Sequence, residues 1–286
     1  MTTQNQLESY AEPGPLTTGG PGTTAALAAL PSTLPDLILA VQGLLIHETG
    51  AAQSTTAHLR TTHQILAHLL TADSRPLTEP RPPAHRLTGC CRHFTLITVA
   101  ALRAHAIPAR ARCGFAKYFT PGLYGDHWVA EYWNADTSRW ILTDAQLTPE
   151  LRAARGITFT PDNVPREQFA VAGDAWISYR NGELDPSRCG LGGEDQSGSW
   201  WIAGNLIRDV AALAKMELLP WDVWGAMPEP DAPIDDILAE ELDQLAAITA
   251  DPDTAAESRT RYNDERFRVP ARVHNFLRRT EEPVID

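Results

Sequence analysis

The run LITVAALRA, Leu96 to Ala104, is apolar on nearly every side of a helix. A helix without a polar face has to lie inside the molecule, covered all round. It ends before Ile107-Pro108, because proline cannot continue a helix and disfavours helical geometry in the residue before it. The cover comes next. ARARCGFAKYF (Ala109 to Phe119), HWVAEYW (His127 to Trp133) and RWILTD (Arg139 to Asp144) read as three strands. The NADTS between the last two is turn chemistry, so they form a hairpin. A buried helix from Cys91 to His105 followed by an antiparallel sheet is an α+β arrangement.

The rest of the chain is organised around that unit. Residues 1–25 are rich in Thr, Gly, Pro and Gln, and are expected to be a mobile tail that cannot offset its ordering entropy by burial. DLILAVQGLLIHE (Asp36 to Glu48) reads as a buried helix with an Asp cap, and Thr55 to Ala72 as a second helix. His58, His63 and His68 fall in the second, but a spacing of five turns each by about 140° from the last, so they share no metal-binding face. The proline-rich stretch Asp73 to Gly89 is a loop. Further on, Ile202 to Leu218 and Ile234 to Ile248 are helical, the latter inside a segment from Pro228 to Glu257 that carries ten carboxylates. The expected division is a tail (1–25), a main domain (26–225) and an acidic helical extension (226–286), whose carboxylates form a solvated face or a connecting helix.

Charge narrows the partners. Thirty-six acidic against 24 basic residues give a formal charge of −12, a field that repels nucleic-acid backbones and anionic lipid. No apolar run is long enough to span a membrane, and the N-terminus lacks the pattern of a secretory signal. Four cysteines, two of them adjacent, make a poor disulfide framework. Reduced thiols and a cytoplasmic location are the expectation.

The adjacent pair, Cys90 and Cys91, raises the question of chemistry. A reactive thiolate needs a helix N-terminus and a nearby imidazolium. Cys91 falls in the first turn of the buried helix, where unpaired N–H groups favour S⁻ and offer a donor for an oxyanion. Cys90 precedes the turn and is expected to point elsewhere. His127 opens the second strand and Asp144 closes the third. A four-residue loop at Asn134–Thr137 sets Trp133 opposite Ser138 and His127 opposite Asp144, where the carboxylate can orient the imidazole. Each residue also has a plain structural role: a small core side chain, a histidine at a strand edge, a turn-capping aspartate. Together, in the order Cys, His, Asp and all at element ends, they are a candidate triad.

GCCRHFTLITVAALRAHAIPAR, then HWVAEYW and WILTDAQL, resemble the transglutaminase-like superfamily over about Thr88 to Gln146. The resemblance implies a papain-like α+β core, with the cysteine-bearing helix packed on an antiparallel sheet and a helical C-terminal region beyond it. It implies Cys91 as nucleophile, His127 as general base and Asp144 as its orienter, with Cys90 on a variable position. Three departures are visible: His93 where an acidic residue is common, Ala106 where glycine is usual, and Ala145 where proline is common. On the substrate side the candidates are Trp128 and His93. Tyr132, Trp133 and Trp140 either wall a cleft or pack across strands. Glu131 shares a face with His127 and either binds substrate or pairs with Arg110 or Arg112, the salt bridge being the favoured role; Asp209, Glu217 and Asp222 are further cleft candidates, and Cys113 is core. A zinc site at Cys90, Cys91, His93 and Cys113 does not fit the usual ligand spacing.

The implied function is cysteine-dependent acyl transfer or amide hydrolysis on a peptide, amide or thioester substrate, without metal or organic cofactor. The alternatives are an amide-forming homologue acting on a small-molecule or carrier-bound acyl donor, and a binding protein that keeps the fold without the chemistry.

Overall fold

The computed structural model describes residues 2–47, 54–192, 196–230 and 232–285, and it begins with helices where a mobile tail is expected. Helix α1 (Gln4–Ala11) is held by a capping box in which the Thr3 side chain accepts from the Gln6 N–H and the Gln6 side chain accepts from the Thr3 N–H. Helix α2 (Pro21–Ala28) starts on a proline. Tyr10 is fully buried, its hydroxyl donating to the Leu213 carbonyl at 2.9 Å, and Leu16 enters the main core. With Arg103 donating to Thr17 at 2.9 Å and Arg259 to Ser9 at 2.7 Å, these side chains fix a segment whose average composition looks unstructured.

Helix α3 (Leu34–Leu44) is shorter than expected and gives way to strand β1 (Leu45–His47); Glu48, the expected end, lies outside the described residues. The second predicted helix is broken into a 3₁₀ turn (Thr55–His58) and α4 (Thr62–Ala72), because Thr61 and Gln64 form a capping box that starts a new helix. His58 and His63 go to separate partners: His58 to Asn275 and Trp221, His63 to Thr23. Strand β2 (Leu87–Gly89) ends the proline loop and leads into α5 (Cys91–Ala104).

Strands β3 (Ala109–Ala116), β4 (Tyr124–Asn134) and β5 (Arg139–Thr143) follow as an antiparallel sheet. After α6 (Pro149–Arg155), strand β6 (Phe169–Val171) adds to the free side of β3, giving the order β5-β4-β3-β6. Helix α7 (Ala172–Arg180), strand β7 (Cys189–Gly190), which pairs with β4, and helix α8 (Ser199–Leu213) complete this part. On one face of the sheet Ala109, Ala111 and Cys113 of β3 and Trp128 and Ala130 of β4 share a cluster with Leu96, Ile97, Val99 and Leu102 of α5. Each of those buried aliphatic side chains contributes roughly 1.5–3 kcal/mol. Alternate positions of the same strands carry Arg110, Arg112 and Glu131, as period-2 geometry requires.

The C-terminal region is neither purely helical nor a loose extension. Strands β8 (Asp222–Val223), β9 (Arg272–Asn275) and β10 (Thr280–Pro283) form a small sheet; helices α9 (Asp236–Thr249) and α10 (Ser258–Tyr262) lie between β8 and β9 in the chain. Helix α9 packs on α7 and α8, burying Leu238, Leu242, Leu245 and Ala246 while its carboxylates stay outside. Strands of two to four residues are too short to produce an alternating pattern, which is why the sequence reads as helix and loop there. One continuous cluster takes in Leu16, Leu96, Leu206, Leu242 and Val284, so the divisions expected near residues 25 and 225 both run through packed core. Among the described residues no helix is long and apolar enough to cross a membrane.

Candidate active site

The entry to α5 is built by a pair of parallel strands. Leu45, Ile46 and His47 of β1 pair with Leu87, Thr88 and Gly89 of β2. At Gly89 a Cβ would fall 2.9 Å from Cγ of His93, so only glycine lets that ring fold back over the start of the helix. Cys90 is the N-cap, and its N–H donates to His93 Nδ1 at 3.2 Å while its Sγ lies 3.3 Å from the same nitrogen. Cys91 is the first helical residue. Both thiols are 7% exposed.

The neighbouring Cys90 side chain, together with burial, pushes the Cys91 thiol well above the usual range. Burial acts upward on Cys90 as well, but the Cys91 thiol, His93 and the Arg92 N–H outweigh it and hold Cys90 below the usual value. Cys90 therefore does not point elsewhere, as its position before the turn suggested. The backbone N–H of Trp128 acts the other way on Cys91 and favours its thiolate. Strand β5 leaves the ladder at Ala130–Thr143, so Trp128 has no partner on β5.

His127 is the residue immediately before Trp128. Its Nε2 lies 2.8 Å from Asp144 Oδ2, with both side chains almost fully buried. The Tyr118 hydroxyl donates to the same oxygen at 2.7 Å, and the Gln146 N–H donates to Oδ1 at 2.9 Å. Phe119, Phe169 and Tyr118 stand edge-on around the imidazole at 5.0, 6.4 and 6.1 Å.

The pairing of His127 with Asp144 is not the direct opposition expected from hairpin counting. Asn134 stays in the strand opposite Arg139, its Oδ1 accepting from the Thr137 N–H, and Trp133 pairs with Trp140. The loop is one residue later than expected, which moves the register by two and preserves the side-chain faces. Asp144 then sits just beyond the end of β5, its N–H donating to the Pro161 carbonyl at 2.8 Å, and turns back toward His127.

Residues 46–145 match the model of the transglutaminase-like superfamily, a stretch that holds Cys91, His127 and Asp144 and stops one residue past the last. This region belongs to that superfamily. Its α+β core, with a buried helix presenting a cysteine beside an antiparallel sheet, is a cysteine-dependent catalytic fold. Among solved structures, a Cytophaga hutchinsonii protein named a candidate cysteine protease aligns with 60% of this chain at 17% identity and a TM-score of 0.35. The alignment spans half the length of that protein. None of the curated proteins matches the chain.

The remaining candidates have other duties. Trp128 and His93, the substrate-side candidates, are both fully buried. Trp128 packs between the sheet and α5, and His93 braces Cys90, so neither can wall a cleft. Trp133 and Trp140 meet edge-to-face across strands at 5.6 Å, with Arg110 over the Trp140 ring. Glu131 accepts from Arg110 at 2.7 Å and Arg112 at 3.1 Å, and also from Arg166. Asp209, Glu217 and Asp222 are consumed by buried ion pairs with Arg112, Arg103 and Arg60. Cys113 is fully buried, as expected of a core residue.

Three site residues escape a reading of the sequence. Tyr118 looks like the end of a strand, and Gln42, whose Nε2 donates to the Ala145 carbonyl at 3.1 Å, looks like a helix interior. His47 reads as part of a helix, yet it stands on β1 opposite Gly89. No local spacing announces any of them.

Proposed function

We propose that the chain is a cysteine-dependent acyl-transfer enzyme that works through Cys91, His127 and Asp144. The observation that carries this reading is the 2.8 Å bond between buried His127 and Asp144, one residue from Trp128, whose N–H favours the Cys91 thiolate. With Nε2 turned to Asp144, Nδ1 is the nitrogen left to exchange a proton with the thiol. In the first half-reaction the Cys91 sulfur attacks the carbonyl carbon of an amide, ester or thioester as its proton passes to His127. The N–H groups at the start of α5 stabilise the oxyanion. Collapse breaks the bond to the leaving group, which takes the proton from His127, and leaves a thioester on Cys91. In the second, water or a primary amine attacks the thioester, gives its proton to His127 and releases the sulfur.

A second reading, with Cys90 as nucleophile and His93 as its base, is favoured by the lowered Cys90 thiol. Against it, His93 is sealed from solvent and its Nε2 has no hydrogen-bond partner, so nothing orients that ring as Asp144 orients His127. Intact mass spectrometry after exposure to p-nitrophenyl acetate separates the two. Acetylation lost in Cys91→Ala and kept in Cys90→Ala supports the first; the reverse pattern overturns it.

A further inference from the structure

The mechanism above leaves one imidazole unused. His47 is paired across the ladder with Gly89, two residues before Cys91, and neighbouring strands lie about 4.8 Å apart. Cys91, His127 and Asp144 are buried, whereas His47 is exposed, so it stands on the solvent side of the group. Four charged or titratable groups act on it electrostatically: Cys90 at the N-cap of α5, His93 from α5, His127 from β4, and Asp144 from the end of β5.

We propose that His47 is a further catalytic residue of this site, the base that takes the first proton from an amine acceptor in the second half-reaction. The inference rests on the acyl-transfer reading. An amine arrives as R–NH₃⁺ and must lose two protons before an amide can form, and His127 can accept only one of them. In the proposed step an N–H bond of the ammonium breaks and its proton goes to the His47 imidazole. The neutral nitrogen attacks the thioester carbon, forming C–N while C–S breaks, and the second proton passes through His127 to the departing Cys91 sulfur. His47 then returns its proton to solvent. Water attacks without a preliminary deprotonation of this kind, so hydrolysis depends on His47 less.

The surroundings suit that role. Partial loss of hydration lowers the His47 pKa, and the like charges of His127 and His93 act in the same direction, while Cys90 and Asp144 oppose them; the net shift is downward. The downward shift favours the neutral ring, the form that accepts a proton. Asp126, which accepts from Asn205 Nδ2 at 2.6 Å, adds negative field at the Cys91 sulfur, Asp144 adds it at His47, and the chain as a whole carries −12, so a cation is drawn to the site.

The test uses p-nitrophenyl acetate as donor and methylamine as acceptor, with the p-nitrophenol burst reporting acylation and the ratio of N-methylacetamide to acetate reporting partition. In the wild type the ratio rises with pH through an inflection below about 6.5. His47→Gln is expected to lower the ratio at pH 7 by at least about tenfold, a conservative figure for general base catalysis, and to remove the inflection while a burst is still seen. An unchanged ratio with the burst present overturns the role of His47. Loss of the burst in His47→Gln alone overturns it too, since His47 then serves acylation. A wild type that forms no acyl adduct on Cys91 overturns the acyl-transfer reading, and this inference falls with it.

Discussion

His127 Nε2 and Asp144 Oδ2 meet at 2.8 Å although their strands have already parted company. Asp144 is free of the ladder, and its position is set by donors from three places: the His127 ring, the Tyr118 hydroxyl and the Gln146 backbone. A carboxylate with this many donors is fixed in space, and it fixes the imidazole in turn.

Replacing Asp144 with Asn keeps the shape but allows the amide to donate to Nε2, which turns the imidazole to the wrong tautomer. Acyl transfer is expected to fall on the order of 10³-fold with little change in substrate affinity. Steady-state rates together with ¹⁵N chemical shifts of the His127 ring check this. Full activity with an unchanged tautomer would rule out the orienting role.

Tyr118→Phe removes one donor to the Asp144 carboxylate and leaves the packing against Phe119 and Phe159 in place. Hydrogen bonds to charged groups are worth about 1.5–3 kcal/mol, so a loss in that range is expected in urea unfolding. A neutral substitution would mean that water replaces the phenol.

The contact between the two thiols predicts a crossed effect. The Cys90 side chain is the first cause that raises the Cys91 pKa. In Cys90→Ala that cause is gone, and iodoacetamide should alkylate Cys91 faster at pH 7 than in the wild type. Peptide mapping over a pH series measures it; slower alkylation of Cys91 would show that Cys90 assists rather than restrains its neighbour.

Glu131 lies fully buried among Arg110, Arg112 and Arg166. Burial alone would raise its pKa, but the three guanidiniums overcome that and hold the carboxyl well below its ordinary range. A carboxylate depressed in the folded state stabilises the protein above its unfolded pKa, about 4.3, and this contribution is lost as pH falls toward the folded value. Glu131→Ala leaves buried Arg110 without its carboxylate, while Arg112 keeps Asp209, and should cost about 3–5 kcal/mol at pH 7. The difference from wild type should shrink below about pH 4, as followed by denaturant titration; a constant gap across pH would contradict the ion-pair account.

Gly114 is hydrogen-bonded into the sheet between His127 on one side and Val171 on the other. A Cβ there would collide with the Ala170 carbonyl and come within 2.8 Å of Val171 Cα, both of them backbone. Gly114→Ala should therefore cost about 1–3 kcal/mol through forced displacement of β6. Thermal unfolding checks it, and wild-type stability would mean that the strand moves freely.

The sequence alone determined the parts whose cause is local. Solid hydrophobicity from Leu96 to Leu102 demanded a buried helix, Pro108 ended it, and Asn134 to Ser138 turned the following hairpin. Cys91 at the first position of that helix follows from the same local rules. What only the tertiary structure decided depends on groups brought together from far apart in the chain. Tyr10 and Leu16 order an N-terminus that composition calls mobile, because burial of two side chains is invisible to an average. Asp144 reaches His127 from outside the ladder, so counting residues gave the right pair by the wrong register. His47 comes beside Gly89 only because two short strands, well separated in the chain, lie parallel. Periodicity and spacing record what a residue does to its near neighbours; a site assembled from separate segments is decided by packing.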